Sequence, residues 1–193
     1  VTTRRILQGL QELDTVRTVR VGTRLPLQSP KSLGSGPIAA LLDALRDLRA
    51  YKGVYILLHV NHPDELTRDV LEGFSCLAEV GAPLLSQTVF LRDINDDFDV
   101  LARLFKELYY ACVVPYYLYS CDRVRGLEHF VCSPERERDI VTRLTSELSG
   151  IAVPTYVLDV AGKGKIPVPL GFWSGTDLTH CRDYDGTPVA AFR

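Results

Sequence analysis

The stretch Val54-Tyr55-Ile56-Leu57-Leu58-His59-Val60, followed by Asn61-His62-Pro63-Asp64-Glu65 and, past Gly81, by Leu84-Leu85-Ser86-Gln87-Thr88-Val89-Phe90-Leu91, decides the fold. Residues 54–60 form an apolar run of strand length and read as a buried strand. The acids at 64 and 65 open a predicted helix over 64–80, and Gly81 stops it. Residues 84–91 read as the next strand. A strand, a helix and a strand in this order predict two parallel strands joined by a helical crossover.

The same unit repeats on both sides. Upstream, a helix is predicted over 2–13, a strand over 16–21, and a helix over 37–51 with leucines at helical spacing (Leu41, Leu42, Leu45, Leu48). Residues 25–36, rich in Pro, Ser and Gly, carry no periodicity and read as a loop. Downstream, helices are predicted over 96–111 and 133–148, and strands over 113–119 and 153–158. Ser133-Pro134-Glu135 is a helix start: a cap, a proline at the first position, and an acid in the first turn. Five strands, each with a crossover of roughly 30 residues, predict an α/β fold with a parallel sheet. Continuous apolar runs predict strands buried on both faces. Beyond Lys165 the pattern changes, and residues 177–192 read as a short hairpin turning at Asp185-Gly186.

Bulk composition narrows the function classes. The chain has 193 residues and a net charge of −2, with acids and bases interspersed. No basic stripe predicts nucleic-acid binding. No apolar run is long enough to span a bilayer, and no signal peptide is visible. Five cysteines at 76, 112, 121, 132 and 181 form no paired spacing, which fits a reducing, cytoplasmic compartment. The sequence contains no methionine and opens at Val1 within a helical pattern, which reads as a fragment of a longer reading frame.

In a parallel barrel, chemistry sits at the C-terminal ends of the strands. Gly22-Thr23-Arg24 follows the first strand, and His59-Val60-Asn61-His62 closes the second. Gln87 lies within the third, Asp122 follows the fourth, Asp159 follows the fifth, and Lys165 comes six residues later. Each has an ordinary alternative. His59 serves equally as a core histidine, Gln87 as a backbone partner, Asp122 and Asp159 as loop caps, and Lys163 and Lys165 as solvated charges. His59 and His62 alone do not make a metal site. The run Gly162-Lys163-Gly164-Lys165 lacks the glycine spacing and Lys-Ser/Thr ending of a phosphate-binding loop. A lysine set among glycines at the end of a buried strand can, however, attack a carbonyl to form an imine.

Several blocks, in order, carry a resemblance: Arg20-Val21-Gly22-Thr23-Arg24, His59-Val60-Asn61-His62-Pro63-Asp64-Glu65, Gly81-Ala82-Pro83-Leu84-Leu85-Ser86-Gln87-Thr88-Val89, Leu91-Arg92-Asp93-Ile94-Asn95-Asp96, and Cys121-Asp122 to Phe130. With Ile166-Pro167-Val168 after Lys165, they make the chain resemble the lysine 2,3-aminomutase family of the radical S-adenosylmethionine superfamily. The resemblance covers nearly the whole chain, up to about Pro169.

It implies the second half of a partial, TIM-like (β/α) barrel over 1–169, with a short C-terminal β extension over 170–193. It also implies an intramolecular aminotransferase that moves the α-amino group of L-lysine to the β-carbon. The cofactors implied are pyridoxal 5'-phosphate (PLP), S-adenosylmethionine and a [4Fe-4S] cluster. By matching position, Lys165 holds PLP, His59 and Gln87 contact S-adenosylmethionine, and Asp122 and Asp159 bind the distal ammonium of lysine or another basic amino acid. Two carboxylates around one cation give strong charge-assisted hydrogen bonds. Relatives acting on glutamate would not favour two acids there.

The family's lysine loop usually reads Pro-Gly-Gly-Gly-Gly-Lys. Here it is Ala161-Gly162-Lys163-Gly164-Lys165, and Lys163 stands as the alternative imine lysine. No zinc is expected, since Asp97 occupies one cysteine position of zinc-binding members. The family's Cys-x-x-x-Cys-x-x-Cys motif is not in this sequence, so the cluster ligands are expected elsewhere and this fragment alone is expected to be inactive. Homo-oligomerisation of a full-length protein is left open. Three alternatives stand beside this reading. One is the related enzyme that makes β-lysine for a translation elongation factor. Another is a non-catalytic half-barrel binding PLP or a basic amino acid. The third is a truncated remnant.

Overall fold

Six strands pair in the order in which the chain makes them. β1 (Thr18–Thr23), β2 (Gly53–His59), β3 (Leu84–Val89), β4 (Val113–Tyr119) and β5 (Thr155–Val160) are parallel neighbours, and β6 (Gly164–Pro167) joins antiparallel to β5. The sheet curls as a half-barrel. This computed structural model describes residues 3–34, 36–160, 162–168, 170, 173–174, 180–182 and 187–190.

Helices make the crossovers. After α1 (Thr3–Gln11), which precedes β1, they are α2 (Leu25–Gln28), α3 (Gly36–Leu48), α4 (Arg68–Ala78), α5 (Phe98–Tyr110) and α6 (Pro134–Glu147). In α5, Leu101, Leu104, Phe105 and Leu108 recur at spacings of three and four and are all wholly buried. Each contributes roughly 1.5–3 kcal/mol by leaving water. The Asp97 side chain caps α5 by accepting from the Asp99 and Val100 N–H groups at 2.8 and 3.3 Å. At α6 the predicted start is present: Ser133 Oγ accepts from Arg136 N at 3.2 Å, and Pro134 opens the helix.

Four local expectations change. The helix predicted over 64–80 is two pieces, a 3-10 turn at Pro63–Glu65 and then α4. His62 closes the turn, its Nδ1 accepting from the Asp64 N–H, and Thr67 rather than the acids caps α4. The loop over 25–36 contains α2 and a 3-10 turn at Pro30–Ser32, both too short to leave a periodicity. The strands are not buried on both faces throughout, although β2 buries Leu57 as well as Ile56 and Leu58. β3 alternates buried and half-buried residues, while Tyr55 and Val114 on the other face are exposed. The helices pack on the face that carries the buried core. Finally, Lys165, expected in a lysine loop, lies on β6.

Beyond this sheet, β7 (Trp173–Ser174), β8 (His180–Arg182) and β9 (Pro188–Ala190) pair antiparallel in sequence order. The turn expected at Asp185-Gly186, and Pro169 at the expected domain boundary, lie outside the described residues. No described helix is long and apolar enough to cross a membrane.

Candidate active-site cleft

A cleft of about 210 Å³ opens at the C-terminal ends of the parallel strands, lined by His59, Gln87, Val89, Tyr119, Ser120, Asp122 and Asp159. Four residues singled out in the sequence therefore share one wall. The fifth, Lys165, reaches it through Asp159: its Nζ lies 3.2 Å from Asp159 Oδ2.

Strand register explains the convergence. His59 pairs with Gln87 across β2 and β3, so both side chains leave the sheet on the same face. On β4 the register then slips. Ser86 pairs with Pro115 but Gln87 pairs with Tyr117, leaving Tyr116 as an extra residue. This β-bulge reverses the alternation of β4 at its midpoint. Val113 and Pro115 are buried before it, and Leu118 after it. Tyr117 and Tyr119 therefore turn to the face that carries Gln87. The Tyr116 and Tyr117 hydroxyls are 3.0 Å apart, and the Tyr117 and Tyr119 rings meet edge-on at 5.6 Å. Gln87 Nε2 donates to the Tyr119 hydroxyl at 2.9 Å. Burial, and then the nearby Asp159 charge, push the Tyr119 phenol up to about 12, so it stays protonated and keeps its own O–H to donate.

The β2 rim is held by a second set of contacts. Arg24, after β1, pairs with Glu65 at 2.5 Å. The other Glu65 oxygen accepts from the Asn61 and His62 N–H groups at 2.6 and 3.1 Å. Asn95, wholly buried, donates to the Asn61 and Val89 carbonyls, each at 2.8 Å, and accepts from the Leu91 N–H at 2.7 Å. Asn61 Oδ1 accepts from the Val89 N–H at 3.1 Å. These bonds fix the loop that follows His59. Burial and the Arg24 charge lower the His59 pKa, so its ring is neutral at pH 7. Its Nε2 is buried with no hydrogen-bond partner. Among the described residues, no group of three His, Cys, Asp or Glu side chains is placed to hold a metal ion. His62 uses Nδ1 to close its own turn.

The acid–lysine corner is built differently. Gly162 and Gly164 adopt φ of +71° and +81°, a region open to glycine, and turn the chain sharply from β5 into β6. The turn puts Lys165 directly across from Asp159. Lys165 Nζ is 5.6 Å from the centre of the Tyr119 ring. Lys163 sits at the turn, its N–H donating to the Val160 carbonyl at 2.8 Å, and is exposed. The arrangement can receive a cation between acids, present a primary amine beside an aromatic face, and offer an unpartnered imidazole nitrogen.

Reading the sequence did not single out Tyr119, Ser120, Asn95 or Glu137. A buried asparagine leaves no local signature. Tyr119 reaches the cleft through the bulge at Tyr116, which the apolar run over 113–119 conceals. For Glu137, the available signal is an acid on the apolar stripe of α6 beside Ile140, Val141 and Leu144.

No protein-family model matches the chain. It is 37% identical over 164 residues to the L-lysine 2,3-aminomutase of Fusobacterium nucleatum subsp. nucleatum, covering 84% of this chain and 37% of that protein. It is 36% identical over 164 residues to the L-lysine 2,3-aminomutase of Clostridium subterminale, covering 84% of this chain and 38% of the relative. It is 35% identical over 187 residues to the glutamate 2,3-aminomutase of Clostridioides difficile, covering 95% of this chain and 43% of the relative. The chain thus spans about two-fifths of the length of the curated relatives it matches. Over most of its length, the chain is a relative of the lysine 2,3-aminomutases and matches the C-terminal part of those proteins.

Proposed function

We propose that this chain supplies the substrate-binding and PLP-holding side of a radical aminomutase that acts on L-lysine or another basic amino acid. The observation that carries the reading is the convergence of Asp122, Asp159 and Lys165 on the cleft that His59 and Gln87 also line. In this reading Asp122 and Asp159 receive the distal ammonium of the substrate, which replaces Lys165 as the cation beside Asp159. The glutamate chemistry of the Clostridioides difficile relative fits less well, because a substrate carboxylate would face two like charges.

PLP fits the corner. Lys165 Nζ is half-exposed and reachable, and Tyr119 gives an aromatic face beside it. When bound there, PLP supplies an aldehyde carbon that can carry the migrating nitrogen. Gly162 and Gly164 beside Lys165 border open space, since a Cβ at either would meet nothing within 4 Å. S-adenosylmethionine fits the other end of the cleft, where the buried His59 Nε2 has no partner and Tyr119 orients the Gln87 amide. The [4Fe-4S] cluster does not fit the described residues, which offer no ligand set, and no step is assigned to it.

The test is chemical. Full-length protein incubated with PLP, reduced with borohydride and digested should carry the pyridoxyl label on Lys165. Label on neither Lys165 nor Lys163 would overturn the reading.

A further inference from the structure

Glu137 is the most deeply buried carboxylate in the described chain, 1% exposed, and no residue lining the cleft needs it as an ion-pair partner. It lies on α6, behind the sheet. One of its oxygens accepts from the Ser120 hydroxyl at 3.0 Å, and the other accepts from the Tyr156 hydroxyl. Ser120 directly follows β4, two residues before Asp122. Tyr156 lies on β5 three residues before Asp159. A single carboxylate therefore binds, through two separate hydroxyls, the two chain segments that carry the acidic pair.

The neighbouring bonds tighten this arrangement. Ser120 N–H donates to the Val157 carbonyl at 3.1 Å, and Val168 N–H, just after β6, donates to the Tyr156 carbonyl at 3.0 Å. The Tyr156 ring packs edge-on against Phe90 at 5.9 Å, and Phe90 N–H donates to the Tyr119 carbonyl at 2.8 Å. Holding a carboxylate this deep is costly, and burial pushes the Glu137 pKa up against the pull of its two hydroxyl donors. An apolar side chain would fill the space without that cost, but it would leave both hydroxyls unpaired and the two strand ends untied.

We propose that Glu137 is a positioning residue that sets the spacing of Asp122 and Asp159, and so the preference of the site for an amino acid with a distal ammonium. The inference rests on the reading of those two aspartates given above. It concerns geometry transmitted from behind the sheet, since Glu137 does not line the cleft.

The experiment compares L-lysine with L-norleucine, which lacks only the distal amine, by calorimetric titration of full-length, cofactor-loaded protein. The variants are Glu137→Leu, Tyr156→Phe and Glu137→Gln. Glu137→Leu and Tyr156→Phe should each lower the lysine-over-norleucine preference about five- to tenfold, the scale of one ordinary hydrogen bond lost indirectly through geometry. Norleucine affinity should stay unchanged. Glutamine can accept from one hydroxyl and donate to the other, so Glu137→Gln should keep most of the preference. If Glu137→Leu does not fold, Tyr156→Phe decides, because it removes only a hydroxyl. Wild-type preference in Tyr156→Phe, or equal loss of both ligands, overturns the proposal while leaving the site reading intact. A wild-type protein that does not prefer lysine overturns both.

Discussion

The two ends of the cleft hold their polar residues in opposite ways. His59 and Gln87 stand on strands with a parallel neighbour on each side, and the loop beyond His59 is fixed by Asn61, Glu65 and the buried Asn95. Asp159 and Lys165 stand on the last two strands of the sheet, where the residues from 158 to 167 with a described side chain are exposed. Their mutual contact is one ion pair with side chains 43% and 37% exposed. The first end is set by buried hydrogen bonds. The second is set by a hairpin and a solvent-screened pair, so its cation can be exchanged at little cost.

The largest effect should come from breaking the buried end. Asn95→Ala strips partners from the Leu91 N–H and the Asn61 and Val89 carbonyls, and should cost roughly 3 kcal/mol or more in a urea titration. A loss below about 1 kcal/mol would show that this loop is not held as described. At the exposed end, Lys165→Ala should change stability by less than about 1 kcal/mol, because the pair is half in water. The same variant should lose the pyridoxyl label. A large destabilisation would mean that the hairpin depends on the pair and cannot release it.

The smallest effect is a pH dependence at the buried end. His59 has a folded-state pKa below its unfolded value of about 6.5. Below that pH the unfolded chain takes up a proton that the folded chain resists. Stability contributed by neutral His59 is therefore present at pH 7 and lost as pH falls from about 6.5 toward the lower folded pKa. His59→Gln should flatten the fall in melting temperature between pH 7.5 and 5.5. An unchanged slope would show that the ring is not held neutral by burial.

The contrast between the two ends also marks what could be read from the residues. The parallel strands were legible because helices cover one face and the runs are apolar; β4 has the predicted bounds, 113–119. The caps at Ser133 and the stop at Gly81, with φ of +78°, followed from side-chain chemistry that acts within one turn. Asp64 and Glu65 misled, because acids mark a helix start only when the backbone continues, and here Leu66 breaks the turn before Thr67 caps α4. The glycines around Lys163 build a tight hairpin through positive φ angles, a backbone feature that leaves no periodicity in the residues. Tyr119 was hidden by a bulge, which depends on the pairing with β3 and not on β4 alone. Glu137 was hidden for a similar reason, since its partners Ser120 and Tyr156 lie 17 and 19 residues away.

The proposed function rests on Asp122 and Asp159 together receiving the distal ammonium of the substrate. Titration of L-lysine and L-norleucine into full-length, cofactor-loaded Asp122→Asn and Asp159→Asn variants tests it. Each substitution should weaken L-lysine by about tenfold or more, as expected for loss of a charged hydrogen-bond partner, and leave L-norleucine unchanged. Equal binding of L-lysine by the wild-type protein and both variants would contradict it.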